Sequence, residues 1–294
     1  MAGPKGQRAA LLDALGAIVL WSTLAVIGVR LKHVPPFFLI GVGLLCGALC
    51  GARAIDLGGI RLRVLGLGVY GLFAYHLCLF LALRLAPPIE ANLINYLWPL
   101  LIVVLCPIIV PGSRLSSRHV SGAVLGFGGA ALLVGARPLE FTGSAWPGYA
   151  LAFAAAIIWS TYSLLTKRMG DFPTSAVATF CLVSGVLSLG CHFAFEPRYM
   201  PRGSDIPYLL WIGVGPMGAA FYLWDRAIKR GDPRAIGALS YLPALLSTLL
   251  IALFGQGHLS LTSTAAMAMI VGGAVLGTWP RPAASPEART NSSP

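Results

Sequence analysis

Residues 12–31 read LDALGAIVLWSTLAVIGVRL, and residues 149–169 read YALAFAAAIIWSTYSLLTKRM. Both stretches contain the tripeptide Trp-Ser-Thr, at 21–23 and, 138 positions later, at 159–161. Each copy lies in the interior of a long apolar segment. An apolar sequence that repeats itself in this way is typical of membrane proteins built from two related halves.

Further matches extend the repeat over most of the chain. They occur at spacings of 145 and 144, and they join Tyr96-Leu97 to Tyr241-Leu242 and Gly128-Gly129 to Gly272-Gly273. We therefore predict two halves, comprising residues 1–140 and 141–280.

The composition indicates that these halves lie in a lipid bilayer. Hydrophobic residues make up 57% of the chain and charged residues 11%, whereas soluble domains carry about 25% charged residues. So few charges could not cover the surface of a soluble protein. The net charge of +11 comes from basic residues spread over short loops rather than gathered on one face, so we predict no nucleic-acid partner.

Ten apolar runs have roughly the 17 to 25 residues that a helix needs to cross the hydrocarbon core. Turn-forming Pro, Gly and Asp residues separate most of them. The predicted spans are 10–29, 36–55, 64–84, 89–110, 119–136, 146–166, 175–195, 207–226, 233–254 and 262–279. The polar tail 281–294, rich in Pro and Ser, is predicted to be disordered.

The distribution of basic residues predicts the orientation. With the N-terminus in the cytoplasm, 15 of the 21 Lys and Arg residues lie on the inner side and 6 on the outer side, as the positive-inside rule requires. Both termini, and with them the tail, are therefore predicted to be cytoplasmic, in a multi-pass membrane protein. Because five spans per half is an odd number, the second half must be inverted. The predicted fold class is an all-α integral membrane protein of ten transmembrane helices in two inverted five-helix repeats.

Two prolines interrupt equivalent spans. Pro99 leaves the carbonyl of Asn95 without its helical donor, and Pro243 does the same for Leu239. Within a bilayer such carbonyls need other partners, and broken helices at mid-depth are where inverted-repeat carriers bind their substrates. The interior of the fourth and ninth spans is therefore the predicted site.

Polar and aromatic residues at similar depth complete the candidate site. The predicted substrate-binding residues are Trp21, Tyr75, His76, Asn95, Tyr96, Trp98, Trp159, Ser240 and Tyr241. The predicted hinges are Pro99, Pro216 and Pro243. Helix packing is the alternative for the deep aromatic residues. A hydrogen bond to a neighbouring helix is the alternative for His76, which could otherwise serve as a protonation switch.

The chain resembles a known family on these residues. The inverted halves, the paired Trp-Ser-Thr and the Gly-rich fifth and tenth spans are similar to the drug/metabolite transporter superfamily, in its EamA-type branch. The segments INYLWPLL (94–101) and WSTYSLLTKR (159–168) resemble the bacterial YddG-type exporters of aromatic amino acids. This resemblance implies an exporter or uniporter of amino acids and related small metabolites that works by alternating access in the bacterial inner (plasma) membrane. It also implies a central cavity lined by the first, third, fourth, sixth, eighth and ninth spans.

The residues themselves favour a zwitterionic substrate. Residues 14–29 contain no Asp or Glu, which argues against a dedicated cation/proton antiporter. Aromatic rings, His, Asn and freed carbonyls suit an amino acid with an apolar or aromatic side chain. We predict no catalytic residue, no metal and no cofactor, and a monomer or weak oligomer.

Other functions stay open at this point. A multidrug or other metabolite exporter of the same superfamily is the nearest alternative. A sugar-phosphate carrier would need Lys or Arg inside the cavity. An intramembrane enzyme is a remote alternative, because no His–Asp pair accompanies Ser121 or Ser184. Energy coupling, whether facilitated or proton-linked through His76, is also open.

Overall fold

The computed structural model describes residues 4–134, 142–253 and 261–279, and within these ranges the chain is helical without strands. Ten spans follow one another, five of them interrupted. In chain order they comprise Pro4–Ser22 with Leu24–Arg30, Pro36–Leu49, Leu62–Val69 with Tyr70–Ala74 and Tyr75–Leu85, Pro88–Asn95 with Trp98–Ile109, Ser117–Val134, Trp146–Met169, Ala176–Phe195, Ile206–Val214 with Gly215–Ala219 and Ala220–Arg230, Pro233–Leu239 with Leu242–Leu253, and Leu261–Thr278. Short 3-10 turns lie at Ala52–Ala54 and Gly143–Ala145.

Length and composition make this a multi-pass membrane protein. Seven of the described helices are long and apolar enough to cross a membrane, and Pro36–Leu49 is a shorter apolar helix. Ten helices in two repeats confirm the predicted fold class.

Several predicted span limits differ from the observed helices. The first span begins at Pro4 rather than at residue 10, and the second ends at Leu49 rather than at residue 55. Gly51 follows that end with non-helical backbone angles, which is consistent with the low helix propensity of glycine. The eighth span continues to Arg230, four residues beyond its predicted end. The predicted limits at 136 and 254 and the tail 281–294 lie outside the described residues.

Irregular turns recur at equivalent positions of the two repeats. The third span contains a π-helical turn at Tyr70–Ala74, and the eighth contains one at Gly215–Ala219, 145 positions later. The fourth span is interrupted between Asn95 and Trp98, and the ninth between Leu239 and Leu242, next to the two prolines that predicted these breaks. Turns of the π type leave helical carbonyls available and are frequent at functional sites.

The first and sixth spans differ in one respect. The first is interrupted at Thr23, whose hydroxyl donates to the carbonyl of Leu20 and accepts from Trp211 Nε1 at 3.1 Å. The sixth is one continuous helix, Trp146–Met169, and its Thr161 hydroxyl lies 2.9 Å from that of Tyr70. The Trp-Ser-Thr repeat is therefore structurally asymmetric.

Glycines allow two pairs of spans to pack at backbone distance. The second span packs on the seventh and the fifth on the tenth. A Cβ at Gly122 would lie 2.7 Å from the carbonyl oxygen of Gly273, and one at Gly273 would lie 2.5 Å from that of Gly122. Such small-residue contacts are the common means of close helix association in lipid.

Two ends of the bundle can be distinguished. One end, which we call the terminal face, contains a cavity whose wall includes Gln7, Ser113, Lys167, Asp232 and Thr278. The opposite end, the far face, carries ion pairs that hold its loops on neighbouring spans. They join Arg84 to Glu196 at 2.9 Å and His33 to Asp205 at 3.3 Å.

Candidate substrate-binding site

Four tryptophans from four spans meet in the middle of the bundle. Trp21 of the first span lies 5.8 Å from Trp159 of the sixth and 5.3 Å from Trp224 of the eighth, between ring centroids. Trp98 of the fourth span lies 6.3 Å from Trp159 and 5.6 Å from Trp224. These are edge-to-face, tilted and offset contacts of the kind that aromatic rings prefer.

Further rings complete this group, and we call the whole the aromatic cluster. Both repeats contribute to it, so it lies at their interface. Its members are Trp21, Tyr75, His76, Trp98, Trp159, Tyr162, Phe221 and Trp224.

Two of the indole N–H groups are held by the protein. Trp21 Nε1 donates to the carbonyl of Pro216 at 3.1 Å, in the π-helical turn of the eighth span. Trp224 Nε1 donates to Ser163 Oγ at 3.0 Å, and that hydroxyl donates to the carbonyl of Trp159. For Trp98 and Trp159 no acceptor is present among the described residues. These two donors are therefore available to a bound solute.

A polar group borders the rings on one side. His76 is buried, and its Nδ1 is hydrogen-bonded to the carbonyl of Leu72 within the π-helical region of the third span. Because a carbonyl only accepts, Nδ1 carries the proton, and Nε2 is an acceptor when the ring is neutral. Asn95 Nδ2 donates to Tyr75 Oη at 3.3 Å. Its buried Oδ1 accepts no hydrogen bond from the described part of the chain, which makes it a second available acceptor.

The structure brings together most of the predicted site residues but not all of them. Tyr241 packs against Phe127, 6.3 Å between ring centroids, in a separate apolar core with the fifth and tenth spans, and Tyr96 packs against that same core. The hydroxyl of Ser240 donates within its own helix to the carbonyl of Ile236. The ninth span reads Tyr-Leu-Pro where the fourth reads Tyr-Leu-Trp-Pro, so proline occupies the place of the tryptophan.

Sequence reasoning missed four contributors, listed here with the spans that carry them: Tyr162 and Ser163 of the sixth, Phe221 and Trp224 of the eighth. The eighth span was predicted to end at 226, and no role was predicted for Trp224. The i, i+3 spacing of Phe221 and Trp224 on one buried face was the available signal.

The three predicted hinge prolines lie at the irregular turns. Pro99 and Pro243 each follow a helix break, and Pro216 lies inside the π-helical turn whose carbonyl accepts from Trp21. Their role in motion remains a prediction.

Two repeats that share a site at their interface are the architecture of many secondary transporters. The model of the EamA-like transporter family matches the chain twice, at residues 8–135 and 146–279. The chain therefore belongs to the EamA-like transporter family.

Similar proteins have been described in bacteria. The chain is 44% identical over 281 residues to the aromatic amino acid exporter YddG of Ancylobacter novellus, with 92% of this chain and 98% of that protein covered. It is 27% identical to proteins of the same name in Escherichia coli and Salmonella typhimurium, each with 92% of this chain and 96% of the relative covered. One crystal structure at 44% identity superimposes with a TM-score of 0.88 and covers 92% of this chain and 96% of its own.

Proposed function

We propose that this protein exports aromatic amino acids across the bacterial inner membrane by alternating access, without catalysing a reaction. The observation that carries the proposal is the convergence of Trp21, Trp98, Trp159 and Trp224 at the interface of the repeats. The names of the relatives support the same substrate class. The basic residues support termini in the cytoplasm, so the terminal face is the cytoplasmic one.

The available polar atoms fit the two charges of an amino acid. The indole N–H groups of Trp98 and Trp159 donate to the carboxylate. Asn95 Oδ1 and the neutral His76 Nε2 accept from the ammonium. The side chain of the substrate stacks among the rings, where each aromatic contact contributes about 0.5–1.5 kcal/mol. Such contacts favour aromatic side chains without excluding other apolar ones.

The described state is closed at the terminal face. The segment Trp98–Ile109 packs on Pro233–Leu239 there, and Gly237 allows the contact because a Cβ at this position would lie 3.0 Å from the carbonyl oxygen of Pro99. This contact supports a conformation in which the fourth and ninth spans are closed against each other.

Transport of labelled tryptophan in proteoliposomes tests the function. We expect purified protein to move tryptophan and phenylalanine down their gradients, and unlabelled aromatic amino acids to compete, while aspartate and lysine do not. Runs with and without a pH gradient show whether protons are coupled. Transport of lipophilic cations without transport of tryptophan would establish the multidrug alternative instead. Protein-free liposomes are the control.

The hinge prolines give a prediction about the cycle. Pro99→Ala and Pro243→Ala supply the missing N–H donors to the carbonyls of Asn95 and Leu239, so both breaks become harder to bend. We expect each variant to be at least as thermally stable as the wild type and to transport tryptophan more slowly, by about tenfold if the barrier rises by 1.4 kcal/mol. Thermal melts and initial rates decide this. Unchanged rates in both variants would assign the prolines to packing.

A further inference from the structure

A basic cavity lies at the terminal face, beyond the aromatic cluster. Its volume is about 730 Å³. Lys167 in its wall is two helical turns after Trp159 on the sixth span, a distance of about 12 Å at 1.5 Å per residue. The first, fourth, sixth, eighth and ninth spans all contribute to its wall or border it, so the cavity lies on the path between the aromatic cluster and the terminal face. We call it the vestibule. Its charged lining residues are Arg118, Lys167, Lys229, Arg230, Asp232 and Arg234.

Two of these cations already have acidic partners. Lys229 Nζ lies 2.9 Å from Asp225 Oδ2. Arg234 binds Asp232 through Nε and Nη2 at 2.9 and 2.7 Å. Burial raises the pKa of Asp232, but the hydrogen bonds and charge of Arg234 outweigh burial and hold that pKa below its usual value. Asp232, the acidic side chain in the described wall, is therefore ionised and matched.

Three cations in the described wall have no acidic partner at salt-bridge distance: Arg118, Lys167 and Arg230. Lys167 is the most enclosed of them. Its Nζ donates to the carbonyl oxygens of Lys229 and Gly231 at 2.6 and 2.9 Å. These are neutral acceptors at the end of the eighth span, where the helix dipole favours a cation. They satisfy the hydrogen bonds of Lys167 without neutralising its charge.

Both acceptor carbonyls, of Lys229 and of the C-cap residue Gly231, lie at the end of the eighth span, whereas Lys167 belongs to the sixth span. If opening of the terminal face parts these two spans, the ammonium loses two acceptors and faces the vestibule together with Arg118. A cationic pair in a low-dielectric cleft concentrates anions from solution.

We propose that the vestibule binds the carboxylate of the substrate, through Lys167 and Arg118, before the amino acid reaches the aromatic cluster. The inference rests on the proposed function and adds a second site to it. It makes the transporter selective for amino acids over amines or amides that carry the same aromatic side chain. The same two cations release the carboxylate when Lys167 returns to the carbonyls of the eighth span.

Inside-out membrane vesicles test this proposal, because the terminal face is then in contact with the medium. Uptake of tryptophan is compared with uptake of tryptophanamide, which has the same ring and no carboxylate. In Lys167→Gln with Arg118→Gln we expect the KM for tryptophan to rise by about tenfold, at the lower end of what focused charge contributes. The KM for the amide, whose net charge is positive, should not rise in this variant, because the lost cations repel rather than attract it. The single variant Lys167→Arg keeps a cation at this position and should show the wild-type preference for the acid over the amide.

Arg53→Gln is the matched control, because Arg53 is an exposed basic residue outside the vestibule wall. Equal changes of KM for acid and amide would mean that Lys167 only fastens the closed state, and would overturn the proposal. The proposal would also be overturned if the double variant changed the response of transport to phosphatidylglycerol in proteoliposomes but kept the preference for the acid. The two cations would then bind a lipid headgroup.

If the double variant does not fold, Arg118→Gln alone should still raise the KM for the acid selectively. A wild type that moves neither compound refutes the proposed function, whereas wild-type transport without acid preference refutes the vestibule alone.

Discussion

Trp98→Ala should abolish most transport of tryptophan and phenylalanine while leaving much of the protein in the membrane. The variant removes one wall of the aromatic cluster and one of its two available indole donors. The expected loss is at least tenfold in kcat/KM, since a ring contact and a hydrogen bond to a charged group together contribute about 2–4 kcal/mol. Initial rates, normalised to folded protein measured by fluorescence-detected chromatography, give the result.

Two companion variants separate the contributions. Trp98→Phe keeps an aromatic ring but lacks the indole N–H, so its transport activity should fall less than that of Trp98→Ala. The fall should appear as a higher KM. Trp146→Ala removes a tryptophan that is 67% exposed and should transport normally. Parallel losses of transport and of folded protein in Trp98→Ala would instead mark this residue as packing.

Gly237→Val should prevent the terminal face from closing. The valine Cβ would lie 3.0 Å from the Pro99 carbonyl oxygen and 3.2 Å from Val103 Cγ2. Both atoms belong to the fourth span, so relief requires the fourth and ninth spans to separate. Overpacking of this kind typically costs about 1–3 kcal/mol, enough to shift a two-state equilibrium by roughly five- to 150-fold. We expect transport to fall accordingly.

A native thiol reports this change directly. Cys106 is fully buried in the terminal half of the fourth span, so a thiol reagent added at the terminal face should label it faster in Gly237→Val than in the wild type. Gly66→Val is the control, because a Cβ at Gly66 meets nothing within 4 Å. Unchanged labelling together with normal transport would show that the contact at Gly237 does not govern closure.

The proline breaks were predictable because their cause is local. Pro99 and Pro243 remove backbone donors wherever they stand, and the structure interrupts both spans beside them. The π-helical turn of the eighth span contains Pro216, which the sequence marked, whereas the turn of the third span had no comparable signal. Within that second turn, a Cβ at Gly71 would lie 2.2 Å from the ring of Tyr162. Such contacts depend on tertiary packing.

The helix of the eighth span continues beyond the predicted limit of the span for an electrostatic reason. Charges at Asp225, Arg226, Lys229 and Arg230 marked the edge of the bilayer in the sequence. In the structure Asp225 pairs with Lys229, and Arg226 pairs with Asp13 of the first span at 2.5 Å. Paired charges can extend a helix beyond the apolar run.

The interruption at Thr23, which the sixth span lacks, has a thermodynamic consequence. Two identical inverted halves could exchange conformations at no cost, and each mouth would then be open half of the time. Here the exchange requires the continuous helix Trp146–Met169 to bend near Thr161 while the first span straightens. The two orientations therefore differ in free energy without substrate. A difference of about 1.4 kcal/mol already holds some ten of every eleven molecules in one orientation, so the empty carrier has a resting direction.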